Sequence, residues 1–319
     1  MKMNPDITWI VFTDNKKCLF DVDNVKVVYM QFSELRQYIQ SKFDFELSLE
    51  HPYKLCDFKP AYGFIFSEYL EEYDFWGHCD LDLLWGNLRS YLSDALLENY
   101  DFIYREGHLR LYRNIDDINR LFMRKGSIFQ YKKVFSCRES HGFDEALGIQ
   151  RIAERNSIKM YYDDNVVADI DPFQKPLYIR RIMNQRWKDE AGIFRSIKNY
   201  KYQIFMWKNG KVFRYYLEDG SIKKDEFMYI HFLKRKMRNT IKDEDVDCII
   251  ITPDSFLKGD EGMLEKDRII ELSQGSSGQE KESLGSLLKR KVRRATETSF
   301  RQKIVVVKKG FYFVIEKFI

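Results

Sequence analysis

No stretch of this chain stays apolar for the roughly 20 residues that a membrane-spanning helix needs. The opening Met1-Lys2-Met3-Asn4-Pro5 leads into a short strand pattern, not into the apolar core of a signal peptide. Cysteine is sparse. Cys18, Cys56, Cys79, Cys137 and Cys248 are odd in number, lie far apart and form no Cys-x-x-Cys pair. That spacing excludes the usual zinc and dithiol signatures and fits a reducing cytoplasm. Also missing are an internal repeat, a Gly-x-x-x-x-Gly-Lys-Ser/Thr run and any glycine-rich phosphate loop at the first strand, so a P-loop nucleotide enzyme is excluded. Charge of one sign is not in excess: 53 Lys and Arg against 49 Asp and Glu leave a net +4, too mild to suggest a nucleic-acid partner.

Aromatic residues, by contrast, are abundant at 16%, with 25 Phe and 20 Tyr, and hydrophobic residues reach 44% over 319 positions. That is enough apolar surface for one large domain with a modest appendage, and most of the rings read as core. Ile7 to Phe12 and Val25 to Tyr29 read as strands. The four-residue spacing of Leu35, Ile39 and Phe43 predicts a helix over 33–43 capped by Ser33. A second helix is expected from Pro60 to Tyr69, a strand from Asp74 to Asp82, a helix over 87–97, strands over 102–104 and 109–112, and a helix over 145–155. Tyr202 to Trp207 and Val212 to Tyr216, joined through Asn209-Gly210, form the clearest hairpin.

Alternating strand and helix predict an α/β fold with a sheet covered on both faces, and such sheets bind ligands at the carboxyl ends of their strands. Residues 1–255 read as the main domain and 256–319 as linker and appendage. The linker is Ser273 to Gln279, followed by a basic run from Lys289 to Lys303 and a small hairpin around Lys308-Lys309-Gly310.

The sharpest local feature is His78-Cys79-Asp80-Leu81-Asp82. Two carboxylates at i and i+2 share one face of a strand end, where they can converge on a hard cation that clamps diphosphate oxygens. Asp-x-Asp also arises by chance, but Trp76, Trp85 and two glycines around the pair set it apart from a solvated charged loop.

The run Tyr53-Lys54-Leu55-Cys56-Asp57-Phe58-Lys59-Pro60-Ala61-Tyr62-Gly63, followed after about ten residues by Tyr73-Asp74-Phe75-Trp76-Gly77-His78-Cys79-Asp80-Leu81-Asp82, resembles bacterial GT-A-type glycosyltransferases of capsule and exopolysaccharide loci. The resemblance covers roughly residues 7–255 and is weak from Asp163 to Tyr200. It implies a GT-A-like, Rossmann-like mixed sheet flanked by helices, with a nucleotide-sugar donor and a glycan or lipid-linked acceptor. It further implies Mn2+ or Mg2+ on Asp80 and Asp82, completed by His231, the C-terminal histidine of many such enzymes. Asp57 then contacts the nucleoside, with Lys59 near the phosphates. Helix capping by Asp57 and solvation of Lys59 are the competing reading.

Gly107-His108-Leu109-Arg110-Leu111-Tyr112-Arg113-Asn114 is similar to another stretch of the family, which makes Gly107, His108 and Arg113 donor-site candidates, while Asn114 reads as a helix cap. Phe143-Asp144-Glu145 is similar to the acidic acceptor element, though in reversed order. Asp144 is the preferred base and Glu145 its partner, against a reading of both as first-turn acids. Lys234 and Arg235 are expected to neutralise the departing diphosphate.

The implied activity is sugar transfer from a nucleotide-diphosphate donor, in the cytoplasm or at the inner face of the membrane. The basic run offers contact with anionic lipid, against a reading as a solvated helix face. A carbohydrate-binding protein without turnover and a metal-dependent nucleotidyltransferase are the rivals. The chain is also expected to begin late, since the family usually has another strand before the one ending Phe12-Thr13-Asp14. The alternative is that Ile7 to Phe12 is itself the first strand.

Overall fold

The computed structural model describes residues 1–16, 22–180, 197–242, 246–260, 262, 264–275, 307–308, 312–313 and 315–317. Cys18, most of the expected linker and the basic run from Lys289 to Lys303 lie outside the described residues. The architecture is mixed α/β, and the chain divides into two compact units that exchange segments. The first comprises Met1–Leu81, Leu92–Tyr162 and Thr298–Ile319, the second Asp82–Tyr91 and Asp163–Glu297. The segment read as one domain over 1–255 is thus shared between two units. The boundary expected at 255/256 falls inside the second, at the start of the strand Ser255–Lys258.

In the first unit, Trp-Ile-Val-Phe-Thr at Trp9–Thr13 is a run of strand formers buried at every position, the pattern of a parallel strand covered on both faces. It pairs in parallel with Val25–Tyr29 on one side and with Ile315–Lys317 on the other. Both its edges are therefore paired. The helix Phe32–Gln40 turns Leu35 and Ile39 inward. Its cap is Gln31, in a reciprocal arrangement with Glu34, and not the expected Ser33.

A second, mixed sheet of this unit runs in the order Phe75–Cys79, Leu109–Arg113, Phe102–Ile103, Met160–Tyr161. Aromatic stacking fills the core: Phe58 on Phe135 at 4.2 Å between centroids and Trp76 on Tyr112 at 4.1 Å. The aromatic excess is thus largely structural, as expected.

Three predicted helices are broken, two of them at a closely packed glycine. Residues 52–69 form successive short α and 3-10 turns. Pro60 removes an amide from the ladder, and the Gly63 backbone lies so near Trp76 that a Cβ there would stand 2.4 Å from the indole. The helix expected over 145–155 starts as a π-turn, Ala146–Gln150, before the α-helix Arg151–Arg155. Gly148 has non-helical φ −100 and ψ −111, and a Cβ there would stand 2.1 Å from the Phe143 carbonyl oxygen. The helix expected over 87–97 is likewise a 3-10 turn, Leu88–Ser90, and then a helix, Asp94–Asn99, capped by Ser93.

The second unit carries a six-stranded sheet in the order Ser221–Phe227, Lys211–Glu218, Gln203–Lys208, Cys248–Ile251, Ser255–Lys258, Arg238–Asn239. Its central hairpin turns through Asn209 and Gly210, both at positive φ, as the sequence predicts. The helix Lys266–Ser273 packs Ile269 and Leu272 against Ile204, Met206 and Tyr215 of that sheet. A smaller sheet places Tyr229–His231 between Leu83–Trp85, antiparallel, and Val167–Asp169, parallel. The strand expected from Asp74 to Asp82 is the shorter Phe75–Cys79; a separate strand, Leu83–Trp85, follows the crossing between units at Leu81/Asp82. Among the described residues no helix is long and apolar enough to cross a membrane.

Candidate functional site

In the small sheet of the second unit, parallel register sets His231 beside Asp169. Side chains of register partners project from the same face of a sheet, so the two meet: His231 Nδ1 lies 2.8 Å from Asp169 Oδ1. The other ring nitrogen, Nε2, stands 3.4 Å from Asp82 Oδ1. Asp82 is also bonded through its backbone, its carbonyl accepting from Phe232 N at 2.9 Å, while its carboxylate accepts from the Lys234 amide.

That amide is aimed by two successive non-glycine residues at positive φ, Leu233 at 46° and Lys234 at 61°. This conformation is costly for side-chain-bearing residues and is held only where the surroundings impose it. Burial alone would lower the His231 pKa, but the bonds to Asp169 and Asp82 reverse that and raise it to about 9. Burial alone would raise that of Asp82, but the His231 bond and charge and the Lys234 amide bring it down to about 2. In the ion-free protein the ring is an imidazolium held between two carboxylates.

The first unit holds a second buried cluster. Lys59 Nζ lies 2.8 Å from Asp80 Oδ1, 3.2 Å from the Gly107 carbonyl oxygen and 3.2 Å from Asp144 Oδ2, which occupies all three of its donors. Burial opposes its charge, yet Asp80 and Asp144 hold its pKa well above the usual value. The same burial raises Asp144 to about 6, with Lys59 pulling the other way and Glu145 and Asp80 adding to the rise.

Asp80 is the more open carboxylate, its side chain 37% exposed, and its amide donates to the His108 carbonyl at 2.9 Å. Arg110, fully buried, donates to the carbonyls of Tyr104, Arg105 and Asp144 and so fixes the segment carrying the acid. Glu145 is exposed beside it. A Cβ at Gly107 would stand 3.4 Å from the Asp144 carboxylate, an ordinary contact, so packing alone does not demand glycine there. His78 is fully buried, and among the described residues neither of its ring nitrogens has a hydrogen-bond partner. Burial, with Lys59, Arg110 and His108 nearby, holds its pKa well below the usual value, so the ring is neutral.

Three residues expected at the donor site have protein partners. Asp57 is 0% exposed and accepts from Lys54 Nζ at 2.8 Å and from the amides of His141 and Phe143, each at 3.0 Å. It anchors the loop before Asp144. Arg113 donates to Asp101 at 2.6 Å and to the carbonyls of Leu97, Glu98 and Tyr100, which closes the end of the helix Asp94–Asn99. Arg235 donates to the carbonyls of Pro253, Asp171, Gln174 and Lys175 and so clamps these loops. Asn114, read as a cap, instead donates to the carbonyls of Leu70 and Tyr73 at 2.8 Å.

A family model, described as a family of unknown function (DUF6625), matches residues 1–260. The chain belongs to DUF6625. No curated protein matches it, and no solved structure does. The matched residues of this DUF6625 chain include every member of both clusters.

Asp169 is the site residue that the sequence reading did not pick out. It lies in the stretch where the family resemblance is weakest, and its signal is slight: one acid closing the short buried strand Val167–Asp169. Lys54 and Arg110 were also passed over, because isolated basic residues in an apolar run carry no periodic signature.

Proposed function

We propose that this DUF6625 protein is a metal-dependent glycosyltransferase with a GT-A-like organisation, transferring a sugar from a nucleotide-diphosphate donor to a glycan or lipid-linked acceptor. One observation carries the reading. Asp82 and His231, 149 positions apart in the chain, stand 3.4 Å apart beside one small sheet. A carboxylate oxygen and an imidazole nitrogen form a donor set that suits Mn2+ and also accepts Mg2+. Bound to Asp82 and His231, the ion would supply Lewis-acid stabilisation of the leaving diphosphate.

The chain's own residues do the rest. Asp144, with a pKa near 6, is ionised at neutral pH yet basic enough to take the proton of an acceptor hydroxyl. Lys59 keeps it oriented, and the Lys234 amide holds Asp82 in place.

A second reading rests on a specific feature of the same clusters. Each carboxylate of the motif already has a protein cation, Lys59 on Asp80 and His231 on Asp82, as in a structural salt-linked cluster. On that reading the fold binds sugar or nucleotide without turnover. A thermal-shift screen of nucleotide sugars with and without Mn2+, on wild type and Asp82→Asn, separates the two. The transferase reading expects Mn2+-dependent stabilisation and slow donor hydrolysis in wild type and neither in the variant. Donor stabilisation indifferent to Mn2+ and to Asp82→Asn would refute it.

A further inference from the structure

The observations reach one step past the ligands themselves, to the residue that aims one of them. Asp169 is buried and uses both carboxylate oxygens: Oδ1 faces His231 Nδ1 at 2.8 Å, and Oδ2 accepts from Arg180 Nε at 2.8 Å and Nη2 at 2.7 Å. Its backbone is fixed as well. Arg180 N donates to its carbonyl, and the amide of the following Ile170 donates to the His231 carbonyl at 2.9 Å. The imidazole therefore has one nitrogen permanently engaged and the other turned toward Asp82.

A metal-bound histidine presents a lone pair from one nitrogen only when the proton sits on the other, and a carboxylate at that other nitrogen fixes both tautomer and ring angle. We propose that Asp169 is a positioning residue for cation binding: it keeps the His231 proton on Nδ1 so that Nε2 is offered, beside Asp82, as the ligand. Arg180 in turn holds Asp169 to one rotamer. The inference rests on the metal reading of the preceding section and adds a residue that this reading does not require. A ring held only by packing would leave Asp169 free to be any hydrogen-bonding residue.

The test uses the full chain, Mn2+ alone as probe and isothermal titration calorimetry at pH 7.5. Asp169→Asn is expected to weaken Mn2+ binding 10- to 100-fold, the usual cost of removing a carboxylate behind a histidine ligand. Asp169→Glu should recover part of the loss, and Arg180→Met should cost no more than about threefold. A readout that packing alone would not move comes from histidine-selective nitrogen-15 spectra of the Mg2+-loaded protein. The chain has only 5 histidines, so His231 is assignable by His231→Gln. Wild type should show the Nδ1-protonated tautomer, and Asp169→Asn a mixture or the opposite one.

Should Asp169→Asn unfold, the wild-type spectrum still decides, since an Nε2-protonated His231 in the loaded protein overturns the proposal. So does Mn2+ affinity in Asp169→Asn within twofold of wild type while Asp82→Asn abolishes binding. An equal loss in Arg180→Met would overturn it too, because the pair would then be a structural clamp. Failure of wild type itself to bind Mn2+ overturns the metal reading, and this role of Asp169 with it.

Discussion

Replacing Asp57 distinguishes a ligand contact from a structural anchor more sharply than any other substitution. In Asp57→Ala the Lys54 ammonium keeps its carbonyl partners, Val134 at 2.8 Å and Glu139 at 2.6 Å, but loses its only carboxylate while remaining 1% exposed. Breaking a buried pair on one side typically costs about 3–5 kcal/mol. The amides of His141 and Phe143 also lose their acceptor, each loss being of order 1–3 kcal/mol when no water replaces it. These terms share one carboxylate and do not add, so about 4–6 kcal/mol is the working figure.

That is a large part of the ~5–15 kcal/mol by which a domain is stable, and urea unfolding should show it as a midpoint shift without a change in slope. Asp57→Asn keeps an acceptor but no charge and should lose roughly half as much. Adding Lys54→Met to Asp57→Ala removes the stranded cation and should recover about 2 kcal/mol, as when a buried pair is replaced by apolar groups. A wild-type urea midpoint in Asp57→Ala, accompanied by lost nucleotide affinity, would refute this argument and return Asp57 to the donor site.

Three further outcomes follow from the same structure. Asp144→Asn should cut turnover at least 100-fold with donor affinity nearly unchanged, and the wild-type rate should fall as pH drops through about 6, where Asp144 takes a proton; equal losses in rate and donor affinity would argue for a structural role. His231 has a folded pKa raised to about 9, so its stabilisation is complete below its unfolded value near 6.5 and is lost as pH rises through 9. Chelator-treated protein should accordingly lose up to about 3 kcal/mol across that window and His231→Gln should not, as followed by thermal melting. Gly63→Ala sets a methyl 2.4 Å from the Trp76 ring and should destabilise by about 1–3 kcal/mol in urea unfolding, with tryptophan fluorescence shifted.

Much of the site was legible because its chemistry sits at strand ends, where alternation and polarity announce themselves. Asp80, Asp82, Asp144 and His231 each interrupt or close an apolar run, and each belongs to a buried or half-buried cluster. For Asp57, Arg113 and Arg235 the sequence leaves the choice open, because a charged residue in an apolar run has the same appearance whether it meets a ligand or a protein group. Only partner geometry separates the two. The division of the chain was not legible at all. Nothing in the composition of Leu81 or Asp82 signals that the main chain leaves one compact unit there, and the broken helices at Gly63 and Gly148 depend on how closely Trp76 and Phe143 approach.

On the proposed metal reading, the pairing of His231 with Asp82 sets how a cation would bind. His231 Nε2 can ligate only after losing a proton, and with a pKa near 9 about one ring in a hundred is neutral at pH 7. The Asp82 carboxylate raises no such obstacle, since it is ionised down to about pH 2. Apparent Mn2+ affinity should therefore rise about tenfold per pH unit between 7 and 9 and level off above, with about one proton released per ion bound. Calorimetry in buffers of different ionisation enthalpy measures that proton directly, and His231→Gln should abolish both the release and the slope while leaving a weaker site on the carboxylates. Mn2+ binding that is tight, independent of pH and without proton release would show that the ion does not displace the His231 proton, and the ligand assignment would pass from the imidazole to the carboxylates alone.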